Sequence, residues 1–402
     1  MSPLQLVVVI PCYDEPDLLI TLDSLWQCRP PPGPVEVVVV INGAETDPPS
    51  VQAHHQRTWE AAQAWIEGHQ DARRRFHLLF EPALPARQAG VGTARKIGMD
   101  WAMTRFTGTQ RDDGVIVCLD ADCVVADNYW EALYTHFVAW PQTPGCSIYF
   151  EHPWIEWPPD QQQGIIHYEL YLRYYLHGLR WSGFPHAFHT IGSSMAVRAA
   201  PYRRQGGMNR RKAGEDFYFL QKIIPLGGFS DLCTTTVFPS ARTSHRVPFG
   251  TGRAMADGLA GDRDLGLVYD PRVFQSLGVW FRQVERLYAG AVPAGLAELP
   301  DAVQQFLAQQ HWADRLEEMR AHVSSLPAFR KRFFQGFNAF QVLKYVHFAT
   351  EQRWPKVPVE QAAATLLTGM GVACAATDSA SLLACYRQLD RVGFWCASLG
   401  GR

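Results

Sequence analysis

The chain has 402 residues, 37 basic against 39 acidic side chains, a formal net charge of -2 and 47% hydrophobic residues. That is apolar material enough for the core of one large domain or two ordinary ones. So even a charge balance argues against binding nucleic acid through a surplus of Lys and Arg, and 12% aromatic with only 19% charged residues is the reverse of a disordered composition. The nine cysteines (Cys12, Cys28, Cys118, Cys123, Cys146, Cys233, Cys374, Cys385, Cys396) are odd in number and contain no CxxC pair, so they read as reduced, buried thiols of a cytosolic protein. The apolar runs 4–10 and 362–376 fall short of the roughly 20 residues a membrane span needs, and the first has no basic flank and ends at Pro11. No transmembrane segment or signal peptide is expected.

Four short, almost continuously apolar runs come first, at 6–10, 35–41, 76–80 and 115–119, separated by helical spacing over 17–27, 52–67 and 93–106. That alternation predicts an α/β fold with a mostly parallel, Rossmann-like sheet. Ligands of such sheets lie at the carboxyl ends of the strands, where this chain has PCYDEP, NGAETD and, after the fourth run, DADC. From 151 to 190 the texture turns aromatic, and Tyr168, Tyr171 and Tyr175 would share one helix face. A Gly-rich polar stretch over 206–216 and a loop-like run over 238–253 follow, and the pattern is helical from 255 onward, as at 313–323 and 329–350. The best division is 1–254 and 255–402.

Several of these stretches suit chemistry, and each has a plain structural reading beside it. Asp120 and Asp122 follow a buried strand, so both carboxylates can reach one Mg²⁺ or Mn²⁺ shared with a diphosphate; Asp-x-Asp is also an ordinary turn. Glu215 and Asp216 precede an apolar run, where they complement a helix N-terminus or supply a base that takes a proton from a hydroxyl. The Gly90 to Lys96 stretch opens a helix and could cradle phosphate, though it lacks the strand-first setting of a dinucleotide fingerprint. His245 lies among Arg242, Arg246 and Arg253, a cluster suited to clamp an anion, with His245 either a metal ligand or simply solvated. The aromatic segment is either core or a platform for a sugar or lipid.

In order, VVVIPCYDEP, EVVVVINGAETD, AGVGTARKIGMD, VIVCLDADCVV, GSSMAVRAAPYRRQGGM and AGEDFYFLQKI resemble the family 2 glycosyltransferases of the GT-A fold, over about residues 5–230. The resemblance implies a nucleotide-diphospho-sugar transferase fold; the helical region after about 255 matches nothing in it and is read as an acceptor or oligomerisation module. It implies that Pro11, Tyr13 and Glu15 form the nucleotide-binding loop, that Asn42 contacts base and ribose, that Arg95 belongs to the Gly-rich helix entry, and that Asp120 and Asp122 are the DxD motif. Asp216, with Glu215 beside it, matches the general base of inverting members; Arg246 and Arg253 would face the diphosphate, and His245 would join Asp120 and Asp122 on the metal.

Two departures narrow the reading. Ile41 stands where many members keep an Asp that reads uracil, which leaves the nucleotide open, and the QxxRW motif of processive synthases is missing. The expected activity is single displacement from a nucleotide-diphosphate sugar to a hydroxyl acceptor, in the cytoplasm, with peripheral contact at the inner face of the plasma membrane left open. The alternatives are a sugar-phosphate nucleotidyltransferase and a non-catalytic sugar-nucleotide or glycan-binding protein.

Overall fold

Strand β1 (Leu6–Cys12) is buried at every position, as its unbroken β-branched run requires of a strand covered on both faces. In the computed structural model, which describes residues 5–108, 112–155, 157–243, 250–290, 296 and 298–395, it is followed by α1 (Leu18–Gln27), β2 (Val35–Ala44), α2 (Pro49–Gly68), β3 (Arg74–Leu84), α3 (Val91–Gly108) and β4 (Val115–Cys118). Next come β5 (Cys123–Val125), α4 (Tyr129–Ala139), β6 (Gly145–Phe150), α5 (Pro159–Trp181), β7 (Met195–Arg198), α6 (Ala199–Arg204), α7 (Glu215–Ile223), β8 (Ser230–Pro239) and α8 (Thr251–Ala260).

Eight strands form one sheet in the order β3-β2-β1-β4-β7-β6-β8-β5. The first four are mutually parallel, as the four apolar runs predict. Then the polarity changes: β7 runs antiparallel to both β4 and β6, while β6 and β8 are parallel to one another. Helix α3 buries Met99, Ala102 and Phe106, one stripe at helical spacing, in a core with Val7, Val9, Ile116, Met195, Val197 and Phe219. This packing holds the start of α3 beside the carboxyl ends of β1 and β4.

The chain divides into two compact units. The first comprises Met1–Gln161, Phe188–Asp257 and Asp390–Gly393 and contains the eight-stranded sheet; the second comprises Gln162–Ala187, Gly258–Leu389 and Phe394–Arg402. Much of the aromatic stretch therefore groups with the C-terminal helices. In the second unit Trp280 packs 5.2 Å from Phe333, and Trp312 5.1 Å from Phe337. The helical run expected over 329–350 is two helices, Leu326–Gly336 and Ala339–Gln352, because the Asn338 side chain accepts the N–H groups of Phe340 and Gln341 and starts a new helix. A two-stranded antiparallel sheet, β9 (Leu267–Val268) with β10 (Val357–Pro358), completes it. The eight described cysteines are free, five of them buried and Cys233, Cys374 and Cys385 partly exposed. Among the described residues no helix is long and apolar enough to cross a membrane.

Candidate active site

At the end of β1 the chain turns through Tyr13, Asp14 and Glu15. Asp14 has a left-handed φ of 48°, which a non-glycine residue keeps only where its neighbours fix it. Two histidines of α2 do so: His54 Nδ1 lies 2.6 Å from Asp14 Oδ1, and the Asp14 N–H donates to His55 Nε2 at 3.1 Å. The imidazole proton of His55 is thereby on Nδ1, which is buried with no partner among the described residues, and burial lowers the ring's pKa and keeps it neutral. Tyr13 sits edge-on to the same ring at 5.3 Å and donates its hydroxyl to Asp47 Oδ1 at 3.1 Å. Asp47 Oδ2 in turn accepts the Ala44 N–H at 2.7 Å. Near the end of β2 Asn42 is buried, and its Oδ1 has no partner among the described residues. Gly43 has no room for a side chain, since a Cβ would fall 2.9 Å from both the His55 ring and the Pro82 carbonyl oxygen.

The buried guanidinium of Arg95, in the first turns of α3, joins two carboxylates from elsewhere in the chain. Its Nη1 donates to Glu215 Oε1 and its Nη2 to Asp120 Oδ1. Gly192 lies against it, so close that a Cβ there would be 2.3 Å from Nη1. Glu215 and Asp216 occupy the first turn of α7, where acidic residues complement the helix dipole; the helix-start reading and the site reading describe the same two side chains. Half-buried Asp216 accepts the Phe217 N–H through Oδ1 at 2.7 Å. Burial raises the pKa of both carboxyls and the Arg95 charge opposes it; Glu215 is pushed up to about 7.

Asp120 leaves the end of β4 with its side chain 38% exposed and only Oδ1 engaged by Arg95. Asp122 is half-buried in the turn to β5. Facing this turn is Arg242, just beyond β8, whose guanidinium pairs with Glu15 at 2.7 Å and Asp17 at 2.9 Å and is stabilised by the Asp122 charge as well. Among the described residues no three His, Cys, Asp or Glu side chains form a metal-holding group. Asp120 and Asp122 nonetheless suit Mg²⁺ or Mn²⁺, because such ions take one or two carboxylates and fill the remaining positions with water and substrate phosphate oxygens.

Residues 7–204 match the family model described as Glycosyl transferase family 2. The chain carries a family 2 glycosyltransferase domain. The matched segment runs from β1 to the end of α6 and includes Pro11, Tyr13, Glu15, Asn42, Arg95, Asp120 and Asp122. The protein is accordingly a glycosyltransferase, and its sheet, four parallel strands continued by an antiparallel one, is that of the GT-A fold. Among solved structures, TarS 1–349 from S. aureus in complex with UDP-GlcNAc is 13% identical over 98% of this chain and 92% of that chain, with a TM-score of 0.42. Mannosyltransferase PcManGT from Pyrobaculum calidifontis, in complex with GDP-Man and Mn²⁺, is 15% identical over 88% and 87%, with a TM-score of 0.38. At such scores the family match and the strand order carry the assignment. No curated protein matches the chain in sequence.

Of the glycosyltransferase residues singled out from sequence, Arg95 contacts both Asp120 and Glu215, and Asp216 lies in the same turn as Glu215. Pro11 is buried within β1 beside Val40 of β2. Glu15 is held by Arg242, so its carboxylate already has a cation. Arg253 lies in the first turn of α8 and pairs with Asp257 at 2.8 Å. His245 and Arg246 lie outside the described residues. Sequence reasoning missed His55, Asp47 and Gly192. Asp47 was visible as the last residue of NGAETD, whereas nothing local marks a histidine in a helix or a glycine in a turn as part of a site.

Proposed function

We propose that the protein is an inverting, metal-assisted transferase that moves a sugar from a nucleoside diphosphate to a hydroxyl acceptor by single displacement. The observation that carries this reading is the Arg95 guanidinium held between Asp120 and Glu215, because it gathers the Gly-rich helix entry, the Asp-x-Asp turn and the Gly-Glu-Asp turn around one point. Tyr13, Asn42 and Pro11 take the base and ribose; the unpartnered Asn42 Oδ1 and His55 Nδ1–H offer one acceptor and one donor for a heterocycle. Asp120 and Asp122 would hold Mg²⁺ or Mn²⁺, with His245 as a further ligand. When bound, such an ion offsets the charge that grows on the leaving diphosphate.

Of the two acidic residues at the start of α7, Asp216 is the base. Glu215 is committed to Arg95, whereas the Asp216 carboxylate is held by backbone N–H groups and its raised pKa makes it a stronger proton acceptor than a solvated Asp. The acceptor oxygen bonds to the anomeric carbon while the bond from that carbon to the phosphate oxygen breaks. The hydroxyl proton passes to Asp216, the bonding pair leaves with the diphosphate, and the configuration inverts. Arg246 steadies the departing diphosphate, as Arg253 does once released from Asp257. The C-terminal region serves acceptor binding or oligomerisation, and the cytoplasm, where nucleotide sugars are made, is the place of action.

A thermal-shift panel tests the donor site: UDP, GDP, CDP and their sugar conjugates, each with Mn²⁺ or EDTA, on the wild type and Asp122→Ala. Stabilisation by one nucleotide that needs both the metal and Asp122 supports the reading and names the base. No shift with any nucleotide overturns it.

A further inference from the structure

The second unit has a shallow cleft open to solvent on its surface. One wall is aromatic, made by Tyr168 and Tyr171 of α5 and by Tyr269, the residue after β9. The Tyr171 and Tyr269 rings stand 6.2 Å apart at 56°. Their hydroxyls share a hydrogen bond, and the Tyr269 hydroxyl also meets His347 Nε2 at 2.9 Å. The lining also carries two cations. Arg263 and Lys356 are exposed and line the cleft, and among the described residues neither has a carboxylate partner; Lys356 Nζ lies 5.7 Å from the centre of the Tyr269 ring. Asp264, the acidic residue of the lining, accepts the Gly266 N–H at 2.8 Å.

We infer that this cleft binds a sugar unit carrying an anionic group, with the tyrosine rings covering its C–H face and Arg263 and Lys356 holding the charge. The parts fit no simpler ligand. A neutral apolar molecule would strip water from two cations without replacing it, and a bare inorganic anion would leave the aromatic wall unused. Rings inclined at 56° form no parallel slot for a flat base. A pyranose, by contrast, offers an apolar C–H face to a tyrosine ring and hydroxyls to the phenols, and a phosphate or carboxylate on it accepts charge-assisted bonds from Arg and Lys. The assignment is independent of the donor reaction.

Isothermal titration of the full chain, with an excess of UDP, GDP and CDP together and Mg²⁺ to occupy the donor site whichever base it takes, tests the cleft with four probes: glucose 6-phosphate, glucuronate, glucose and inorganic phosphate. Glucose 6-phosphate and glucuronate should bind with dissociation constants on the order of 1 mM. In the Arg263→Ala/Lys356→Ala variant, two exposed positions whose replacement leaves the fold intact, both should bind about tenfold more weakly, with donor hydrolysis unchanged. Tyr168→Ala should weaken the two sugar anions and leave the inorganic phosphate titration as it was. Absence of saturable binding, indifference to the double variant, or phosphate binding as tightly as glucose 6-phosphate would each overturn the assignment. Because the donor panel depends on Asp122 and this titration on Arg263 and Lys356, either can fail without the other.

Discussion

Arg95 and Glu215 meet through Nη1 and Oε1 with side chains only 4% and 3% exposed. A pair so far from water is strongly coupled to the fold, since taking away one partner strands the other's charge. Arg95→Met, which leaves Asp120 and Glu215 facing each other unpaired, should cost about 3–5 kcal/mol. Glu215→Gln keeps a hydrogen-bond acceptor in place, Arg95 still has Asp120, and the Gln avoids the cost of ionising a carboxyl whose pKa burial has raised, so its loss should be much smaller. Urea unfolding of the two variants measures the difference; an Arg95→Met variant as stable as wild type would show that the guanidinium clamps nothing.

Asp216→Asn should lower transfer by about 10²-fold or more, the scale of general-base catalysis, while the nucleotide-induced thermal shift survives. A fully active variant would remove Asp216 from the reaction. In the wild type, the acid limb of the pH–rate profile should lie above the ordinary range of an Asp, because the base acts only when deprotonated and burial has raised its pKa.

The same raised values set a pH dependence of stability. A carboxyl whose folded pKa exceeds its unfolded one binds its proton more tightly when folded, so its contribution is full at acid pH and is lost as pH rises through the folded value. For Glu215 that window runs from 4.5 to about 7. Asp216→Asn, which never ionises, should therefore melt higher than wild type at neutral pH, with the gap closing toward acid. Thermal melts of both proteins from acid to neutral pH decide the matter, and a variant that melts lower at neutral pH would contradict it.

Arg242 and Glu15 are 227 positions apart and bonded through both carboxylate oxygens. A double-mutant cycle with Arg242→Met and Glu15→Gln should return a coupling of about 0.5–3 kcal/mol, because Glu15 is buried and its partner half-buried. Additive single effects would mean that the pair is incidental.

Gly192→Ala places a methyl group 2.3 Å from Arg95 Nη1. The guanidinium or the turn must move, at about 1–3 kcal/mol for an overpacked site, and the Asp120 and Glu215 contacts move with it. Loss of stability and of transfer together is the expected result, measured by unfolding and by product formation. Unchanged activity would show that the turn can retreat freely.

The parallel half of the sheet could be read from the chain because its cause is local. Runs such as 35–41 are apolar and β-branched but for Glu36, and a run of that kind is stable only as a strand covered on both faces. The motif positions followed, since ligands collect where such strands end. The antiparallel β7 could not be read in the same way. Met195–Arg198 is four residues long, too short to announce its direction, which is set by pairing with β4 and β6.

By itself the sequence determined the order of the elements, the family, and the identity of Arg95, Asp120 and the acidic pair at 215 and 216 as residues worth watching. Only the tertiary structure decided that Arg95 joins Asp120 to Glu215, that Glu15 is held by Arg242, that Arg253 turns to Asp257, and that three tyrosines and two cations line one cleft. Helix and strand patterns repeat over a few residues and are printed in the chain. Charge pairing across 120 positions depends on which surfaces the packed sheet brings together, and a burial that makes an ion pair strong or raises a carboxyl's pKa exists only once the core has closed around it.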